Sequence, residues 1–78
     1  MYSEQIRTIE HPAFPALWEA YQTAFPPGEQ RSVSGQIKAL AAPGYHLDAW
    51  FEDDNSLIGL MGWWDFAPFR FVEHYAIV

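Results

Sequence analysis

Seventy-eight residues make at most one small domain, and a chain of that length buries only about 60–65% of the surface its unfolded form exposes, so its core needs large side chains or outside help. Cysteine is absent, which removes disulfides, thiolate metal sites and thiol nucleophiles. Ten acidic against four basic residues give a net charge of −6, a field that repels nucleic-acid phosphates and anionic lipid, so neither nucleic acid nor membrane is an expected partner.

Large side chains are present, since aromatics are 18% of the residues. Met1 to Glu10 carries Glu4, Arg7 and Glu10 and no apolar run, unlike a secretory leader, and no stretch reaches the roughly 20 apolar residues of a membrane span. A soluble, cytoplasmic protein is expected.

In chain order, residues 5–9 predict a short strand on the β-branched Ile6, Thr8 and Ile9. Pro12 and Pro15 suit the first turn of a helix over residues 13–25, in which Phe14, Leu17, Trp18, Tyr21 and Phe25 recur at helical spacing. Pro26-Pro27-Gly28 stops it. A second helix is predicted over residues 33–42, with Ser32 or Ser34 as N-cap and Val33, Ile37, Leu40 and Ala41 as its buried stripe.

The remainder is β-like. Residues 45–52 alternate apolar and polar, and Asp53-Asp54-Asn55-Ser56 reads as a turn. Residues 57–66 are apolar on both faces, which predicts a central strand covered on both sides. After Ala67-Pro68, residues 69–78 give a last strand interrupted by Arg70, Glu73 and His74. The fold class is α+β: strand, helix, helix, then a three-stranded antiparallel meander. Ala76-Ile77-Val78 is as apolar as what precedes it, with no breaker, so the expectation is a truncated domain whose hydrophobic surface other protein completes.

That element order resembles the N-terminal half of the GNAT N-acyltransferase superfamily. The stretch Trp18 to Pro26, followed by Glu29 and Arg31, is similar to the superfamily's first helix and its exit. Ile58-Gly59-Leu60-Met61 resembles a step of its third strand, and Phe71 to Val78 resembles its fourth. The resemblance implies that residues 1–78 are one truncated domain of this type, using acetyl-CoA as co-substrate and a small-molecule amine as acceptor. The acidic balance suits a cationic acceptor. The Gly-rich loop that holds the coenzyme A pyrophosphate, the tyrosine that protonates the thiolate and the fifth strand have no counterpart in these residues, so the chain alone is expected to be inactive and to bind acetyl-CoA weakly.

Acyl transfer to an amine needs a base, a polarised thioester carbonyl and a proton for the leaving thiolate. Glu73 and His74 are the candidate bases, because ionisable neighbours in an apolar strand are costly to bury unless they are paired. In a regular strand they point to opposite faces, so at most one faces a given cleft. Glu73 can also be the ion-pair partner of Arg70 or Arg31. The resemblance assigns cofactor contact to the main chain of Ala76, Ile77 and Val78, whose plainer role is ladder pairing, and acceptor orientation to Glu29 and Arg31, whose plainer role is a helix-end ion pair. His11 and His46 read as caps or surface residues, and no metal site is expected. Trp63 and Trp64 point to opposite faces, so at least one belongs to the core. The second reading is a small dimeric interaction or ligand-binding module, as a homodimer or with the missing C-terminal half as partner.

Overall fold

Alternation in the chain after Tyr45 sets the sheet. Tyr45, Leu47, Ala49 and Phe51 are buried, and the residues between them are half-exposed, so one face of this strand meets the core. The computed structural model describes every residue from Met1 to Val78. Its elements are β1 (Tyr2–Gln5), α1 (Phe14–Ala24), a 3-10 turn (Pro27–Glu29), α2 (Val33–Ala41), β2 (Tyr45–Phe51), β3 (Leu57–Phe66) and β4 (Phe69–Ile77). The strands form a four-stranded sheet in the order β1-β2-β3-β4, with each neighbouring pair antiparallel. The meander of β2, β3 and β4 thus gains a fourth strand, and the class is α+β.

β1 differs from expectation. It lies at Tyr2–Gln5 rather than residues 5–9, with Tyr2 opposite Phe51 and Gln5 opposite Asp48. Ile6 adds one more ladder bond, from its N–H to the Leu47 carbonyl at 2.7 Å. Thr8 then diverts the chain: its hydroxyl accepts from the Glu10 N–H at 3.2 Å and its carbonyl from the His11 N–H at 3.2 Å. A local turn competing for these backbone groups ends the strand despite its β-branched residues. His11 follows as a cap, its Nδ1 accepting from the Ala13 N–H at 3.0 Å and its Nε2 lying 2.8 Å from Glu4.

α1 packs its expected stripe, with Phe14, Leu17 and Tyr21 buried. α2 is rotated from expectation. Its buried residues are Gln36 and Ala39; of the expected stripe Leu40 packs against the core, whereas Val33 and Ile37 are 46% and 45% exposed and Ala41 is exposed too. The cause is polar: the Gln36 amide donates to the Tyr45 hydroxyl at 3.1 Å, and a buried amide held that way fixes which side of the helix faces the sheet. Ser32 is the N-cap, accepting from the Gly35 N–H at 3.1 Å.

β3 is central but is not covered on both sides. Both helices lie on the face that carries Leu60, which is buried with Ile6, Leu17 and Ala49. On the opposite face Val72, Tyr75 and Ile77 are more than half exposed. Trp64 packs against the core, and Trp63 stacks on His46 across the sheet with ring centroids 4.2 Å apart. Gly62 is required where it stands, because a Cβ there lies 2.7 Å from the Tyr45 hydroxyl. No helix is long and apolar enough to cross a membrane.

The helix rotation is testable by urea unfolding. Leu17→Ala is expected to cost about 2–5 kcal/mol, as for a fully buried leucine. Ile37→Ala is expected to cost no more than about 1 kcal/mol; comparable losses for the two refute the observed orientation of α2.

Candidate functional site

The site forms where the exit of α1 meets an irregularity in β4. Gln30 fixes that exit, its amide donating to the carbonyls of Gln22 at 3.0 Å and Phe25 at 2.7 Å, acceptors that a helix end otherwise leaves unpaired. Arg31 follows, and its backbone N–H donates to the Tyr21 hydroxyl at 2.7 Å. Its guanidinium is thereby aimed at β4.

In β4 the register shifts. Gly62 faces His74 but the next residue, Trp63, faces Val72, so Glu73 is an extra residue on the strand. Such a bulge re-aims side chains and interrupts strict alternation. The rule that adjacent residues face opposite ways therefore fails at this step. Glu73 and His74 both turn to Arg31: Arg31 Nη2 donates to Glu73 Oε1, and Arg31 Nη1 lies 3.5 Å from His74 Nδ1. The partner of Glu73 is Arg31. Arg70 instead lies over the Trp63 ring on the other face, 5.4 Å from its centroid.

His74 is buried, and its ring packs edge-on to Phe25 and Tyr21. Its Nε2 is 3.1 Å from the Glu29 carbonyl and 3.3 Å from the Tyr21 hydroxyl. A guanidinium only donates, so Nδ1 is the acceptor and the network assigns the proton to Nε2, which donates to Glu29. Both ring nitrogens are engaged. Glu29 contributes its main-chain carbonyl to this site.

Glu73 Oε1 also accepts from the Trp64 indole N–H at 3.0 Å, while Oε2 accepts from no protein group and the side chain stays 30% exposed to water. Burial pushes this carboxyl up, but the Trp64 and Arg31 hydrogen bonds and the Arg31 charge outweigh burial and hold it below its ordinary value. It is a firmly ionised, weakly basic carboxylate. Burial pushes the Tyr45 phenol up against the opposing pull of the Gln36 hydrogen bond and the Arg31 charge, so it stays protonated beneath the guanidinium, which sits 5.3 Å from its ring centroid.

The side chains of Arg31, Glu73 and His74 are thus brought together, whereas Glu29 joins them only through its main-chain carbonyl and makes no ion pair with Arg31. Ala76, Ile77 and Val78 lie apart from them, at the end of the chain beside α1, with the exposed Ile77 side chain on the uncovered face. With Ala16, Ala20 and Ala24 they bound an apolar groove of about 530 Å³. Ala76 is two residues past His74, or about 6.6 Å along the strand. Sequence reasoning missed Trp64, Tyr45, Gln36 and Gln30 as members of the network. One signal was available: a tyrosine in a buried stripe, as at position 21, needs a partner for its hydroxyl. No group of three or more His, Cys, Asp or Glu residues is placed to hold a metal ion. No family model, curated protein or solved structure matches this chain.

Lowered acidity gives Glu73 a pH signature. A carboxylate whose folded-state pKa lies below its unfolded value contributes stability above the unfolded value, near 4.5 here, and loses it as pH falls through the folded value. Glu73→Gln is therefore expected to destabilise the protein at pH 7 by on the order of 1 kcal/mol. The difference from wild type should disappear in urea titrations near pH 3, and a pH-independent difference contradicts the assignment.

Proposed function

We propose that this chain is the N-terminal part of an acetyl-CoA-dependent N-acetyltransferase that acts on a small-molecule amine, and that it is inactive alone. The observation that carries the reading is the groove of about 530 Å³ beside Ala76, Ile77 and Val78. These residues are the ones whose main chain the family resemblance assigns to the cofactor arm, and the charged cluster lies next along the same strand. Element order and the bulge, a feature over-represented beside active sites, support the same reading.

The residues present divide the chemistry unevenly. His74 has no free nitrogen, so its part is to tie β4 to the exit of α1. A depressed pKa is opposite to what a general base working near neutrality needs. Glu73 therefore suits holding a protonated amine through Oε2 better than removing its proton. Arg31 positions Glu73.

The test is an NMR titration with pantetheine and with acetyl-CoA. Backbone amide signals of Ala76, Ile77 and Val78 are expected to shift, and Ala20→Phe, which fills the groove, should abolish the shifts. Unmoved amides with both ligands overturn the cofactor reading. Detectable acetyl transfer by the 78 residues alone overturns the claim of inactivity.

A second reading rests on a separate observation. β4 is an edge strand whose Val72, Tyr75 and Ile77 expose apolar surface on the uncovered face, which suits a non-catalytic dimeric module. Sedimentation equilibrium at micromolar concentration is expected to give a dimer under that reading, and a stable folded monomer refutes it.

A further inference from the structure

At the open edge of the sheet, β4 exposes apolar side chains on both faces at once. Phe69 and Phe71 stand on the helix face and Val72, Tyr75 and Ile77 on the other, each more than half exposed. A helix or loop laid on one face leaves the other wet. A further strand at the edge reaches both, and β4 has neither the lysine nor the proline that commonly guards an edge.

The bulge decides which strand fits. Residues paired across an antiparallel ladder share a face, and Glu73 breaks the alternation of β4. Phe69, Phe71, Glu73, His74, Ala76 and Val78 lie on the helix face, and Arg70, Val72, Tyr75 and Ile77 on the other. A strand of strict alternation therefore matches faces on one side of Glu73 and mismatches them on the other. A second copy of β4 carries the same extra residue. Running antiparallel to the first, it matches faces along the whole strand in one register: Val72 opposite Tyr75, Phe71 opposite Ala76, Arg70 opposite Ile77, Phe69 opposite Val78 and Glu73 opposite His74. Every pair occurs twice, as a two-fold axis requires, and no like charges stand opposite.

The same register brings together two features that one chain keeps apart. The apolar groove of about 530 Å³ lies beside Ala76 and Val78 and is lined by the small side chains of Ala16, Ala20 and Ala24. Phe71 and Phe69 of the second copy stand opposite Ala76 and Val78 on that face, within the reach of an aromatic side chain. The exposed rings of each copy thus meet the groove of the other. On the outer face Val72 against Tyr75 adds a pair of β-branched and aromatic side chains, a favourable cross-strand combination.

We propose, on the dimeric reading above, that two copies of this chain join edge to edge through β4 in this register, forming one continuous sheet in which Phe69 and Phe71 of each copy fill the groove of the other. The groove then holds the partner's rings rather than a cofactor arm.

Because the chain has no cysteine, introduced ones report the register without background. Val72→Cys and Tyr75→Cys, both at exposed positions, are mixed and oxidised in air. A disulfide-linked heterodimer is expected. Each variant alone should link about tenfold less, because like positions stand about 10 Å apart along the strands, beyond disulfide reach. Phe71→Ser is expected to weaken the dimer about tenfold in sedimentation equilibrium. Ile37→Ser, exposed beside the segment that follows β1, should leave it unchanged. A dimer whose positions 72 and 75 do not link, or which Phe71→Ser leaves intact, overturns this interface while the dimeric reading stands; a folded monomer overturns both.

Discussion

A single inserted residue organises the functional end of this fold. In a strand without it, the side chains at 73 and 74 leave the sheet on opposite sides, and only one meets the exit of α1. The bulge at Glu73 turns both to the helix face, where one guanidinium meets a carboxylate and an imidazole at once. Such an arrangement is costly unless every member is satisfied, because a buried polar group without a partner costs about 1–3 kcal/mol. Here the partners close into a ring of contacts. Arg31 holds Glu73 and His74, His74 reaches the Glu29 carbonyl, and the Tyr21 hydroxyl receives the Arg31 N–H. The connection between the helices is thereby tied to the edge strand.

The same contacts explain the remaining polarity of the core. Tyr45 is buried by the alternation of β2, Gln36 gives its hydroxyl a partner, and Arg31 lies over its ring. Gly62 is small because the Tyr45 hydroxyl occupies the space a Cβ needs. These contacts meet at Tyr45. The helix-face rotation of α2, which apolar periodicity alone misplaces, is their outermost consequence.

Much of the fold was legible because hydrophobic period and turn chemistry agreed. The bounds of β2, β3 and both helices follow from alternation, from 3.6-residue spacing and from Pro and Gly stops. Besides the one-sided covering of β3, three features were not legible, each for a physical reason. β1 ends early because a threonine turn captures backbone groups that the ladder needed. α2 turns because a polar contact outranks its apolar stripe. The bulge is invisible because one extra residue changes register without changing composition. Of the site, the identities of Glu29, Arg31, Glu73 and His74 could be read from the chain, but their convergence could not. That convergence depends on tertiary contacts between residues more than 40 positions apart.

The bulge also orders what β4 presents to the helix side. Phe69 and Phe71 come first, then the paired Glu73 and His74, then Ala76 and Val78 at the apolar groove, so ring faces, charge and cavity succeed one another over about 30 Å of one strand. Side chains on a hydrogen-bonded strand keep fixed spacing in a way that loop residues do not. The strand is held along its length by β3 and at its middle by Arg31, which makes the three patches a rigid linear series. Trp64 is the joint between the first two, since one indole stacks on the Phe66 ring and donates to the carboxylate.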